Sequence, residues 1–191
     1  MLATAAITFS KRLLAKALGP GDVAVDATAG NGHDALFLAG LVAPAGVVHC
    51  FDIQTGALAR TRALLEGAGL GHAARFHATG HEHLLMNLPG EHCGRIRAVV
   101  FNLGYLPGGD ESVVTRPETT LAALDASRLV LARGGVISAV CYTGHPGGEA
   151  EAQRVQAWGE SLEFASWRTA RYELANKPGA PIRLFFIEKH A

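Results

Sequence analysis

Val23-Ala24-Val25-Asp26-Ala27-Thr28-Ala29-Gly30-Asn31-Gly32-His33-Asp34 decides the fold. An apolar strand runs into an acidic residue, then a small-residue and glycine turn, then the start of a helix. Gly30 and Gly32 lack a Cβ, so such a turn can bring a bound molecule onto bare backbone. Twenty-six residues after Asp26, the apolar run Val47-Val48-His49-Cys50-Phe51 ends in Asp52. An acid at the tip of the second strand of an α/β sheet is placed to accept both hydroxyls of an adenosine ribose. Together the two features indicate a nucleoside-containing cofactor.

Gly30-Asn31-Gly32-His33-Asp34-Ala35 formally fits the dinucleotide fingerprint G-x-G-x-x-A. In the dinucleotide fold, however, the first glycine follows the strand almost at once, so that a helix N-terminus meets the pyrophosphate. Here Asp26-Ala27-Thr28-Ala29 intervenes and brings a carboxylate near that position. The charge repels a diphosphate and suits the ammonium and sulfonium of S-adenosylmethionine. S-adenosylmethionine is therefore the expected cofactor, with a nicotinamide dinucleotide as the alternative.

Around this stretch, strand and helix patterns alternate, which argues for a mostly parallel sheet with helices on both faces. Expected strands lie at residues 23–27, 47–52, 75–78, 98–101, 135–142, 163–171 and 182–188. Expected helices lie at 10–18, 33–41, 55–66, 82–88, 117–131 and 149–162. The last two strands, joined by residues 176–181, read as an antiparallel closing pair. Seven strands with a terminal hairpin is the layout of a Rossmann-like class I methyltransferase, whereas a dinucleotide-binding fold has six parallel strands.

The 191 residues suit a single domain spanning 1–191. Hydrophobic residues at 49% against 18% charged exclude a disordered chain. No apolar run approaches the roughly 20 residues of a membrane span. The apolar residues 1–7 have no basic stretch before them, so no signal peptide is expected. Cys50, Cys93 and Cys141 have no CxxC spacing and read as reduced thiols of a cytoplasmic protein. With zero formal net charge, any nucleic-acid contact must use a local patch. Candidates are Lys11 with Arg12, Arg60 with Arg62, Arg116, and Arg168 with Arg171 and Lys177; each alone also reads as a solvated surface charge.

In an open α/β sheet, the loops beyond the carboxyl ends of the strands converge on one cleft. They supply the candidate cofactor residues Asp26, Thr28, Gly30, Asn31, Gly32, Asp34, Asp52, Ile53, Gln54, Gly80, His81, Glu82 and Asn102. Asn102-Leu103-Gly104-Tyr105 resembles the Asn-Pro-Pro-Tyr loop of methyltransferases acting on exocyclic and side-chain nitrogens. The Asn102 carboxamide oxygen and the Leu103 carbonyl can accept two hydrogen bonds from an amine, and Tyr105 can stack on a base. An Asn that merely starts a turn is the plainer alternative. Asn102, Tyr105 and Asp110 are the candidate catalytic residues, with Leu103, Tyr105, Tyr142 and His145 for substrate. Asp110 and His145 stay open as proton acceptors. His81-Glu82-His83 with His92 lacks the spacing and thiols of a metal site, and no metal is expected.

Five motifs, DATAGNGHD (26–34), FDIQ (51–54), GHE (80–82), FNLGYLPGGD (101–110) and GHPGG (144–148), stand in the order found in a bacterial family of putative rRNA methylases. The chain resembles that family over almost its whole length. The resemblance implies S-adenosylmethionine as methyl donor. It also implies methylation of 5-aminomethyl-2-thiouridine to its methylaminomethyl form at tRNA position 34. The expected partner is then the tRNA anticodon loop, a homodimer being compatible, with rRNA or a small amine as alternative acceptor. Gly80 departs from the family's usual Ser, and residues 171–181 are less recognisable.

Overall fold

The computed structural model describes residues 6–174, 176 and 181–190. The opening residues 1–5, Lys177 and most of the 176–181 connection lie outside the described residues.

Its elements are α1 (Ala6–Ala17), β1 (Val23–Asp26), α2 (His33–Val42), β2 (Val47–Phe51), α3 (Thr55–Gly67), β3 (Ala74–His77), α4 (Leu84–Asn87), β4 (Ile96–Leu103), α5 (Pro117–Val130), β5 (Leu131–Tyr142), α6 (Gly148–Glu160), β6 (Trp167–Tyr172) and β7 (Ile182–Lys189). They form one seven-stranded sheet of order β3-β2-β1-β4-β5-β7-β6. The first five positions pair parallel, and β7 runs antiparallel between β5 and β6. This is the class I methyltransferase layout with its antiparallel closing pair.

The apolar runs Val23–Val25 of β1 and Ala98–Phe101 of β4 are buried because both sheet faces are covered. Val25, Phe51, Val99, Phe101 and Ile137 face Ala123 and Leu124 of α5 and Ala152 and Val155 of α6. Alternate residues Ala24, Val48, Cys50, Ala98 and Val100 face Leu14 of α1, Leu38 of α2 and Leu58 and Leu65 of α3. Strand order reverses between β1 and β4, which opens a cleft at the carboxyl edge there.

Several boundaries differ from the sequence reading. Helix α1 begins at Ala6, four residues before the expected start at Ser10. Strand β4 runs on through Asn102 and Leu103, which pair with Val140 and Cys141 and so belong to the sheet rather than to a loop. Strand β5 begins at Leu131 instead of 135. Gly134 at φ 70° and a register irregularity between Ile96 and Ala98 carry it through the glycine pair that reads as a break. Strand β6 begins at Trp167, since the Ser166 and Trp167 N–H groups both turn back to Glu163 O.

Candidate functional site

A cleft of about 890 Å³ opens over the carboxyl edge. Its floor is the glycine turn. Asp52 organises that turn: one carboxylate oxygen accepts the Gly30 N–H at 2.8 Å, the other the Gln54 N–H at 2.8 Å. One acid thus ties the β1 and β2 loops together, and its remaining lone pairs are available to the cleft it lines. Thr28 links the same turn to β4, its Oγ accepting the Asn102 N–H at 2.8 Å.

Of the expected cofactor residues, Thr28, Gly30, Asn31, Asp34, Asp52, Ile53, Gln54, Gly80, His81, Glu82 and Asn102 wall the cleft. Asp26 and Gly32 do not, which corrects their placement. Asp26 is fully buried at the end of β1, where its Oδ1 accepts the Thr28 N–H at 3.2 Å and its Oδ2 has no partner. Burial first, then the nearby Asp34 charge, pushes its carboxyl up to about 8. Asp26 therefore meets no ligand in the cleft directly. Gly32 caps α2 at φ 84°, and a Cβ there would come within 2.9 Å of the Thr61 backbone. It serves the approach of α3 to α2. At Gly80 a Cβ would run into the Glu82 carboxylate, so Glu82 fills that space.

The opposite wall is built by Asn102, Gly104, Tyr105, Tyr142 and His145. Asn102 Nδ2 donates to Asp34 Oδ2 at 2.7 Å. Tyr105 is 39% exposed and meets the His145 ring edge-on, centroids 5.8 Å apart. His145 Nδ1 lies 3.0 Å from the Pro146 carbonyl, while its Nε2 is buried without a hydrogen-bond partner against Gly104 and Gly148. Leu103, expected at the substrate, is fully buried and does not line the cleft. Asp110 is a correction: it is fully exposed, off the cleft wall, and accepts from the Ser112 N–H and hydroxyl, which hold its carboxyl below the usual range.

Sequence reasoning missed the cleft residues that tertiary folding delivers. The chain after Tyr105 folds back through a Tyr105–Val114 bridge, bringing Ser112, Val113 and Thr115 to the cleft beside the expected Leu106 and Pro107. Asn31 Nδ2 holds the Pro107 carbonyl at 3.2 Å. Lys11 of α1 also reaches the wall, bound to Asp34 at 2.9 Å. Among the basic candidates, Lys11 and Arg116 line the cleft, and Arg60 bonds Asn31 beside it. Arg62 lies over Phe76, and Arg168 and Arg171 sit on β6, the far edge strand.

His92 does not join His81 and His83. It pairs with His49 at 2.8 Å, and His49 with His77 at 2.9 Å, a linear imidazole chain at the β2–β3 edge. Among the described residues no group of three or more His, Cys, Asp or Glu is arranged to hold a metal ion. No described helix is long and apolar enough to cross a membrane.

The family model described as "Putative rRNA methylase" matches residues 48–188. A chloroplastic tRNA (mnm5s2U34) methyltransferase of Arabidopsis thaliana is 37% identical over 177 residues, which is 88% of this chain and 64% of that protein. The chain thus spans just under two thirds of that relative's length. A solved structure titled as a putative rRNA-methylase from Clostridium thermocellum is 35% identical with a TM-score of 0.93, covering 99% of this chain and all of that one. A putative methyltransferase from Streptococcus mutans, solved in complex with SAH, is 32% identical with a TM-score of 0.87, covering 98% of this chain and 99% of that one.

Proposed function

The chain belongs to the rRNA-methylase family, and we propose that it is an S-adenosylmethionine-dependent N-methyltransferase whose acceptor is an RNA amine. The acceptor we favour is the aminomethyl group of 5-aminomethyl-2-thiouridine at tRNA position 34. The observation that carries this reading is that Asp52 and Asn102 wall one cleft on either side of the point where strand order reverses. The first is suited to ribose hydroxyls, the second to an amine.

The donor set fits the cofactor. Asp52 offers acceptors to a ribose, while Gly30 and Asn31 offer a floor and Ile53 an apolar lid edge at 60% exposure. Bound there, S-adenosylmethionine supplies a methyl group on a sulfonium. The protein's own part is positioning, which accounts for much of the rate of a direct displacement. Asn102 Oδ1 accepts an amine N–H bond, leaving the nitrogen lone pair free for the methyl. Tyr105 and Tyr142 provide faces for the splayed base, since single-stranded RNA is commonly read by stacking on aromatic side chains. The nitrogen gains a methyl and must shed a proton. That proton passes to water in the open cleft, since His145 Nε2 is buried without a partner against Gly104 and Gly148.

The test is nucleoside mass spectrometry of tRNA from cells lacking the protein. Accumulation of 5-aminomethyl-2-thiouridine at the expense of its methylated form is expected. An unchanged wobble nucleoside with a missing rRNA methyl group would transfer the activity to rRNA.

A further inference from the structure

The Asn102 side chain ends in two groups of opposite hydrogen-bonding sense that are nearly the same shape. Which one faces the cleft decides whether an amine is received or repelled. Asp34, in the first turn of α2, makes that choice. An ionised carboxylate only accepts, so the half of the carboxamide 2.7 Å from Asp34 Oδ2 must be the NH2 group. The second carboxylate oxygen is held at 2.9 Å by Lys11 of α1, whose ammonium also lies 5.1 Å from the Phe37 ring centre. Both partners are partly shielded, with side chains 32% and 18% exposed for Lys11 and Asp34. Lys11 thereby balances a carboxylate that sits close enough to the buried Asp26 to raise its pKa.

We infer that Asp34 is a positioning residue for the acceptor nitrogen, anchored by Lys11, and that it locks Asn102 with Oδ1 turned toward the amine. This rests on the reading of Asn102 as the amine-orienting residue. With the lock removed, the carboxamide turns over at little steric cost. Its NH2 then meets the amine lone pair and holds it away from the methyl. The lock joins three elements, α1, α2 and β4, and it gives α1 a place in the site that no cofactor motif supplies.

Two measurements on the full chain decide it. In side-chain amide NMR spectra, the Asn102 NH2 pair, identified by its loss in Asn102→Ala, is expected to be shifted and slowly exchanging. In Asp34→Asn it should move to the position of a solvent-exposed amide, and in Lys11→Met it should move part of the way. In single-turnover methylation of RNA carrying 5-aminomethyl-2-thiouridine, Asp34→Asn should slow the step by at least about tenfold, with cofactor affinity by calorimetry changing less than about threefold. An unmoved Asn102 signal in folded Asp34→Asn overturns the lock. So does a rate loss matched by an equal loss of cofactor affinity, which would make Asp34 a cofactor contact. An Asn102 signal unmoved in Lys11→Met removes Lys11 as the anchor. If the wild type methylates no RNA amine, the functional reading fails while the amide spectrum still decides the lock.

Discussion

Asp52 has two structural partners before any ligand arrives, the Gly30 and Gln54 N–H groups, so its removal acts twice. Hydrogen bonds to a charged acceptor are worth about 1.5–3 kcal/mol each. Asp52→Ala should weaken S-adenosylmethionine binding by at least about tenfold in calorimetry, and unchanged affinity would remove it from the cofactor site. Asn102→Ala should behave in the opposite way. It should depress single-turnover methylation far more than cofactor affinity, because it removes an alignment contact. The place of both at the cleft was legible in the sequence, Asp52 lying just past an apolar strand and Asn102 near the end of one. Asp26 has the same sequence signature yet points into the interior, because β1 is covered on both faces and its last residue pairs with Cys50 and Val100. Asp110 misled for the converse reason: in a glycine-rich loop, its nearest partner is the Ser112 two residues on.

The segment from Gly104 to Arg116 is the element that strand patterns could not place. Its position depends on contacts distant in sequence: Asn31 to Pro107, Gly30 against Leu106, and above all Glu151 of α6. Glu151 is 2% exposed and accepts the Thr115 hydroxyl at 2.7 Å and the Thr120 hydroxyl at 2.6 Å. Glu151→Ala leaves two buried or half-buried hydroxyls without their acceptor. It should lower stability by on the order of 3 kcal/mol in denaturant unfolding. It should also raise KM for the RNA acceptor with little change in cofactor affinity; an unaltered unfolding midpoint would show that Glu151 does not hold the segment. The core strands, by contrast, were readable because continuous apolar runs of four or five residues admit few other fates in an alternating chain. Their ends were not, as β4 and β5 show. Where polar or glycine residues continue a ladder, only the neighbouring strand decides.

For the whole molecule, buried Asp26 and a set of shielded histidines led by His49 set opposing pH slopes. Asp26 titrates at about 8 when folded against an ordinary value of about 3.9. Between those values the folded state holds the extra proton, so stability declines as pH rises. Burial first, then His77, His92 and Arg75, lowers His49 to about 3 from the ordinary 6.5. Across that window the unfolded state holds the extra proton, so stability declines as pH falls. The slopes oppose one another between about pH 4 and 6.5, where His77 and His81, also lowered by burial, add to the His49 side. Above that range Asp26 acts alone, and unfolding midpoints measured from about pH 6.5 to 8 should fall in the wild type and flatten in Asp26→Asn. An equally steep fall in Asp26→Asn would assign the slope to other groups.

At the same scale, zero net charge and few cations at the cleft predict that RNA affinity falls only shallowly with salt. The most direct measurement incubates the protein and labelled S-adenosylmethionine with tRNA carrying 5-aminomethyl-2-thiouridine, with rRNA and free nucleoside in parallel. Methyl transfer to the aminomethyl nitrogen of that tRNA is the expected result. Transfer to rRNA alone would contradict the wobble acceptor, and transfer to none of the three would contradict the methyltransferase reading of the cleft.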